Sequence, residues 1–308
     1  MRFHIYHNWG YIGAMEQLKR IFCRHDIVCD NPSGVGFEIY RMPEFFTDRK
    51  GMETDIPHMH GFYEIVWFQS GKGVHYVDFQ EYPISDDVVF FISPGQIHSF
   101  DNRHDQTGFV LKICPEMLND SGSEGDYLRY NLFNAFDHLP YCKVAEGDRQ
   151  RLLNIIEAMG AELRESGRVG HKDYLRALVN MFIIRVQRNN SDSGVRLLDP
   201  VRSSHRTFLE FRKLIEEHYC DAHTVKEYAA MLHVSTKTLT QYVNECSSFS
   251  PLAMISNRII LEAKRLLCYS VLSVKEIAFR LGFEDPSYFV KFFKRLAGKS
   301  PADYRERL

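Results

Sequence analysis

Two sets of residues in this 308-residue chain have the types and spacing to do chemistry. The first is His58, His60, Glu64 and His98. Three imidazoles and a carboxylate form a donor set for a first-row divalent metal. The same groups equally suit polar contacts to an organic effector, or plain structural hydrogen bonds. With Tyr76 they make the candidate effector pocket. The second set lies near the C-terminus. Lys237, Thr240 and Gln241 recur at i, i+3 and i+4 and so share one helix face. Ser287, Tyr288 and Lys291 hold equivalent places further on. Glutamine can bond an adenine edge bidentately and lysine prefers guanine, so these six are candidate base contacts. Ser235, Thr236, Asn244, Arg258, Lys294, Arg295 and Lys299 are candidate phosphate contacts, which fix register without reading sequence. No Ser-His-Asp arrangement, phosphate-cradling glycine loop or Cys-His pair stands out, and no catalytic residue is assigned.

The elements that must position the second set can be read from residues 273–305. Ile277, Ala278 and Leu281 have helical spacing, and Gly282 can take the positive φ of a tight turn. Asp285-Pro286-Ser287 then opens a second helix, with Asp285 as N-cap and Pro286 at the first helical position. That helix buries Phe289, Phe292 and Phe293 and leaves Ser287, Lys291, Lys294 and Arg295 outside. Gly298 stops it, and Ser300-Pro301 starts another. This is a helix-turn-helix whose basic, aromatic-backed second helix suits a DNA major groove.

Residues 224–251 repeat the pattern one unit of 49–50 residues earlier. Glu227, Ala229, Leu232 and Val234 answer to Glu276, Ala278, Leu281 and Phe283. Gln241 answers to Lys291, Asn244 to Lys294, and Ser250-Pro251 to Ser300-Pro301. A helix over about 252–268 joins the units, spanning about 25 Å at 1.5 Å per residue. Recognition helices joined this way can sit near one DNA turn apart, about 34 Å, in adjacent major grooves of double-stranded DNA.

The first set sits in different surroundings. From 37 to 114 the period is two, with β-branched and aromatic residues between turn signals. The expected strands are 37–42, 62–69, 73–79, 88–92 and 108–113, suggesting a small double-sheet barrel of the jelly-roll kind with an internal pocket. His60, Phe62, Glu64 and Val66 share one strand face; Tyr63, Ile65 and Trp67 share the other. His75 and Tyr76 oppose each other, so only one points inward. Helical period returns at 147–165 and 171–188, joined through the Gly167–Gly170 turn as a hairpin.

The resulting order is an N-terminal arm of unassigned structure at 1–36, a barrel at 37–145, a helical hairpin at 146–188, a linker at 189–204 and a DNA-binding domain at 205–308. Residues 116–141 are turn-rich and unassigned. The fold class is α+β, multidomain. Charge follows the same division: residues 201–308 carry 17 Lys+Arg against 12 Asp+Glu, or +5, and residues 1–200 carry 21 against 28, or −7. A basic end on an acidic body suits a nucleic-acid module attached to something that avoids phosphate. Seven scattered cysteines without CxxC spacing read as reduced thiols. The N-terminus lacks a signal-peptide pattern and no run reaches 18 apolar residues, so the expectation is a cytoplasmic protein without a membrane segment.

The run Ile277-Ala278, Leu281-Gly282-Phe283, Tyr288-Phe289, Phe292-Phe293-Lys294 and Gly298-Lys299-Ser300-Pro301 resembles the signature of the AraC-type (AraC/XylS) transcription regulators. The resemblance covers roughly 203–308 closely and 50–190 more loosely. The first unit departs from the pattern at His233 and Ser248, where glycine is usual; histidine tolerates positive φ. His58-Met59-His60, Glu64 and Gly71 resemble a cupin first motif, and Pro94-Gly95, His98 and Asn102 a second. In cupin enzymes the matching residues hold a metal. The AraC-type resemblance implies a cupin-like sensing head with a small-molecule effector, a hairpin serving as homodimer face, nucleoid association, and activation through RNA polymerase. Two alternatives are a cupin metalloenzyme fused to a DNA-binding tail, holding metal on His58, His60, Glu64 and His98, and a ligandless regulator controlled by abundance.

Overall fold

A computed structural model of the chain describes residues 24–25, 36–42, 45, 54–101, 105–118, 132–133, 139–165, 167–190 and 202–306. The arm at 1–36, Asn102, the linker between 191 and 201, and most of the stretch 116–141 lie outside these residues, save Arg24–His25 and Gly36. The chain divides into two compact units between Pro200 and Val201.

The N-terminal unit is a double-sheet barrel with a helical hairpin on its outer face. Its strands are β1 (Arg24–His25), β2 (Phe37–Arg41), β3 (Met59–His60), β4 (Tyr63–Ser70), β5 (Gly73–Val77), β6 (Gln80–Ile84), β7 (Val88–Ile92), β8 (His98–Phe100), β9 (Thr107–Ile113) and β10 (Tyr141–Lys143). One antiparallel sheet runs β10-β7-β4-β9-β2 and a second runs β6-β5-β8. A single helical turn, α1 (Pro115–Leu118), follows β9. The five expected strands are present. The strands that were not expected have short or mixed sequences: β6 carries Pro83, which an edge strand tolerates because its N–H is not needed for a ladder.

Alternation assigns the faces. Val66 and Phe68 of β4, Phe90 of β7, Val110 of β9 and Phe100 of β8 meet inside the barrel, with Met42 and Phe45. Ile65, Trp67, Val89, Phe91, Phe109 and Leu111 point the other way. That outer face is covered by α2 (Arg149–Arg164) and α3 (His171–Asn190). Leu152, Ile155, Ile156 and Met159 of α2 and Leu175, Leu178, Val179, Phe182, Ile183 and Val186 of α3 join it in one core. The hairpin is therefore a wall of the barrel unit rather than a separate domain. Gly167 and Gly170 supply positive φ values of 99° and 73° in its turn, and His171 Nδ1 meets Glu162 Oε1 at 2.8 Å across it.

The C-terminal unit is all helical: α4 (Ser203–His218), α5 (Val225–Met231), α6 (Thr236–Cys246), α7 (Pro251–Tyr269), α8 (Val274–Arg280), α9 (Pro286–Ala297) and α10 (Pro301–Glu306). The α+β expectation, a barrel with a helical hairpin followed by an all-helical double helix-turn-helix, matches this architecture.

Candidate nucleic-acid interface and barrel site

Each helix-turn-helix is built by local rules that the repeat preserves. Thr224 and Glu227 form a capping box at the start of α5, and Ser273 and Glu276 form the same box 49 residues later at α8. These hydrogen bonds hold both glutamate carboxyls below their ordinary pKa. The turn is the same in both units: Val234 N donates to Ala229 O and Phe283 N to Ala278 O, each at 3.0 Å. His233 takes φ 54° where Gly282 takes 78°, so histidine does adopt the left-handed turn of the first unit. The two sites differ in surroundings. A Cβ on Gly282 would collide with the carbonyl of Cys220, which links α4 to α5. Through the same contact the His223 and Phe283 rings lie 4.7 Å apart, so the second turn packs on the first unit.

One residue longer in the second unit, the turn leads to α6 or α9. Ser235 caps α6 through Thr238 N at 3.0 Å, and Asp285 caps α9 through Ser287 N at 2.8 Å. Leu239 and Val243 are buried where α9 buries Phe289 and Phe293. Pro286 stands in the first turn and Gly298 ends α9 with φ 78°, as the sequence predicted.

The outer faces present most of the predicted contacts. Lys237, Gln241 and Asn244 on α6 and Ser287, Tyr288, Lys291, Lys294 and Arg295 on α9 are exposed. Thr236 is exposed at the start of α6, and Gln241 donates to Glu245 Oε1 at 3.0 Å. Thr240 is half-buried and donates its hydroxyl to Thr236 O at 2.8 Å. Ser235 spends its oxygen on the cap. Lys299 is half-buried with Nζ 4.9 Å from the Tyr304 ring centroid.

Arg258 does not fit the phosphate role that was expected of it. It is 7% exposed. Its guanidinium meets Glu216 Oε2 at 2.8 Å and Glu262 Oε2 at 3.0 Å, and lies 3.8 Å from the Tyr219 ring centroid. The two carboxylates outweigh the cost of its burial and hold its pKa above the ordinary value. Arg258 is a strut tying α7 to α4.

In the barrel, β3, β4 and β8 bring His60, Glu64 and His98 to one buried point. His60 Nε2 lies 3.8 Å and His98 Nε2 3.6 Å from Glu64 Oε2. Both contacts exceed a hydrogen bond. His60 Nδ1 meets Phe62 O at 2.7 Å, and the two rings stack at 4.1 Å. His58 is close but differently used. Its backbone bridges His98 in both directions at 2.9 Å, and its Nδ1 meets Ile56 O at 2.9 Å.

Tyr76 is a correction. It sits half-buried, while its neighbour His75 is fully buried and places Nε2 3.1 Å from His98 Nδ1. His75 is the inward member of the pair, and Tyr76 faces away. Burial, with His58 nearby, lowers the His75 pKa to about 3; burial also keeps His98 well below its usual range. Both imidazoles are neutral near pH 7. Sequence reasoning also missed Lys112, buried directly across from Glu64 in the β4–β9 pairing. Its Nζ lies 5.0–5.6 Å from the ring centroids of Tyr40, Phe45 and Phe62. Only the register of β9 reveals it.

A double-sheet barrel followed in the chain by a helical unit with two helix-turn-helix repeats has the two-part plan of a DNA-binding transcription regulator. Family comparison supports both parts: residues 48–179 match the AraC-like ligand binding domain and residues 228–307 match a helix-turn-helix domain. The chain belongs to the AraC-type regulators, with an N-terminal ligand-binding domain. It is 24% identical over 267 residues to the HTH-type transcriptional activator RhaR of Yersinia pseudotuberculosis serotype O:1b (strain IP 31758), covering 87% of this chain and 90% of that protein. It is 25% identical over 253 residues to the HTH-type transcriptional activator RhaS of Klebsiella pneumoniae (strain 342), covering 81% and 87%. Among solved structures, the DNA-binding domain of AdpA in complex with a target DNA is 32% identical, covering 33% of this chain and 91% of that one, with a TM-score of 0.31.

Proposed function

We propose that this protein activates transcription from specific sites on double-stranded DNA, under control of a small-molecule effector in the barrel. The observation that carries the reading is the repeated helix-turn-helix, with its matched capping boxes, matched turn bonds and two exposed recognition faces. Activation follows the relatives, both named as transcriptional activators, and acts through RNA polymerase. The α6 and α9 helices enter adjacent major grooves, where Lys237, Gln241, Ser287, Tyr288 and Lys291 meet base edges and Thr240 offers a methyl group. Thr236, Asn244, Lys294, Arg295 and Lys299, with the amide ends of the helices at Ser235, meet phosphates. The effector is held by groups from the His60, Glu64, His98 and His75 cluster. The protein works as a regulator and not as an enzyme, in the cytoplasm on the nucleoid. No helix among the described residues is long and apolar enough to cross a membrane.

The working unit is a homodimer. Tyr174 and Met181, 52% and 51% exposed on α3, stand with Ala177 at i, i+3 and i+7, on the side of the helix away from the barrel core. A second copy of this stripe is its self-complementary partner.

Incubating the full-length protein with sheared genomic DNA from its source, and sequencing what it retains, tests the reading. A shared site of roughly 20 base pairs, read in two adjacent major grooves, is the expected result. Retention without any shared sequence would sink it.

A further inference from the structure

We propose that Arg305 and His223 are positioning residues that hold the second recognition helix in one place, so that the helical unit accepts a single spacing between the two halves of its DNA site. Single spacing requires that α6 and α9 both enter DNA, as proposed; the positioning itself is a property of the free protein.

Only Ser270, Val271 and Leu272 lie between the end of α7 at Tyr269 and the cap of α8 at Ser273. This is the joint between the linker helix and the second unit. Rotation about a few backbone bonds there would swing α8 and α9 together relative to α6. The local bonds centre on Ser270 alone: its Oγ donates to Leu266 O at 2.6 Å and accepts from Leu272 N at 3.4 Å.

Arg305, on α10, closes the joint. Its Nε donates to Leu267 O at 3.1 Å and its Nη2 to Leu272 O at 2.7 Å. Leu267 lies in the last turn of α7, where carbonyls lack partners within the helix. A cation also suits that end of the helix dipole. The donors of a guanidinium are fixed in one plane, so this single side chain clamps both sides of the joint. α10 is bound to α9 in turn, since the Tyr304 and Phe293 rings lie 5.4 Å apart.

His223 supplies a brace from the first unit. Its backbone N–H donates to Glu227 Oε2 at 3.0 Å, the carboxylate of the α5 capping box, which fixes the root of the ring. The ring lies 4.7 Å from Phe283, and Phe283 lies 5.2 Å from both Phe289 and Phe292 of α9. Contact at His223 is thereby carried through Phe283 to the recognition helix. Arg258 ties α7 to α4 further along the same linker helix. Braced on both sides, α6 and α9 move as one body.

The test has two arms, both on the full-length protein. In the first, nitroxides are attached through azide-bearing residues at positions 245 on α6 and 296 on α9, because the chain has seven cysteines. Pulsed electron double resonance without DNA should give one narrow distance, which Arg305→Met and His223→Ala each broaden about twofold or more. In the second arm, unlabelled protein binds its selected site with one base pair added or removed between the half-sites. Each such change shifts a half-site by about 3.4 Å and turns it by about 35°. The parent should lose about 10-fold or more in affinity at either altered spacing, and Arg305→Met less than about 3-fold. Arg305→Lys should behave as Arg305→Met does, because a point charge on a flexible stem does not hold two carbonyls at once. A residue that only stabilises the fold would lower the melting temperature and leave both the distance width and the spacing ratio as in the parent. Should Arg305→Met lose its helical circular dichroism, His223→Ala carries both comparisons. A broad distance in the parent, or an unchanged width in the folded variants, would overturn the positioning. Equal spacing tolerance in parent and variants would overturn the single spacing. Broadening by the variants when no DNA site is selected supports the positioning and sinks the DNA reading instead.

Discussion

At the scale of single residues, the proposed contacts divide into side chains expected to specify, side chains expected to attract, and Arg258, which braces. Lys291 and Arg295 are both exposed on α9. Lys291→Ala should relax preference at one base position by about 1–3 kcal/mol, while Arg295→Ala should weaken binding to all sequences and lower the salt slope by roughly 1. Binding isotherms on a panel of single-base variants at several salt concentrations distinguish the two. Arg258 gives a third outcome. Removing one partner of a buried ion pair leaves the other charges uncompensated and costs about 3–5 kcal/mol of stability. Glu216 is more exposed than Arg258, so the lower end applies. Arg258→Met should therefore lower the unfolding midpoint of the helical unit while the salt slope of surviving DNA binding stays the same. The positively charged residues of residues 201–308 look alike in sequence; only burial and partners sort them.

At the scale of elements, the two turns test how far the repeat is interchangeable. Gly282→Ala places a methyl group against the Cys220 carbonyl at positive φ, and should destabilise by at least about 2 kcal/mol. His233→Gly relieves a left-handed side chain but gains unfolded-state freedom, so its net effect should stay within about 1 kcal/mol. Urea denaturation of both variants decides it. The capping boxes add a pH dependence. Glu227 and Glu276 have pKa values below 4.5 in the folded chain because the ionised carboxyl accepts hydrogen bonds at Thr224 and Ser273. Their contribution is complete above the ordinary glutamate range and is lost as pH falls through the lowered folded values. Replacing both with glutamine should flatten the acid limb of stability against pH in the helical unit. In the hairpin, Phe182→Ala removes a ring 6.1 Å from Trp67 in the barrel-side core and should cost about 3–5 kcal/mol. Tyr174→Ser with Met181→Ser on the opposite face should leave the melting temperature of the monomer alone and shift sedimentation toward monomer.

At the scale of the whole molecule, the division between Pro200 and Val201 separates the barrel unit from the helical unit. Each side has its own core: the barrel and hairpin share one, and the helical unit buries Phe211, Ile255, Ile259 and Phe293 in its own region of the chain. The fragment 201–308 should therefore select the same DNA site as the full-length protein in a retention experiment, with affinity altered by the loss of the dimer. Failure of the fragment to select that site, while remaining folded, would place part of the reading function in the N-terminal unit.

Sequence by itself determined the helical half almost completely. Its caps, turns and buried rings are local: Thr224 bonds Glu227, Asp285 bonds Ser287, and Gly298 ends its own helix. Such contacts span a few residues, so their chemistry is legible in order along the chain. Five strands of the barrel, β2, β4, β5, β7 and β9, were legible as strands for the same reason. Which of His75 and Tyr76 turned inward, and that Lys112 would face Glu64, required strand register. Register is set by pairing between residues far apart, and a shift of one residue exchanges the faces. β7 shows the difficulty directly, since Val88–Ile92 is buried on both faces and carries no alternation to read. The same distance in sequence hid the partners of Arg258, because Glu216 lies 42 residues away. Tertiary structure alone decided which charges were struts, which histidine completed the cluster, and that the apolar stripe of the hairpin was largely spent on the barrel.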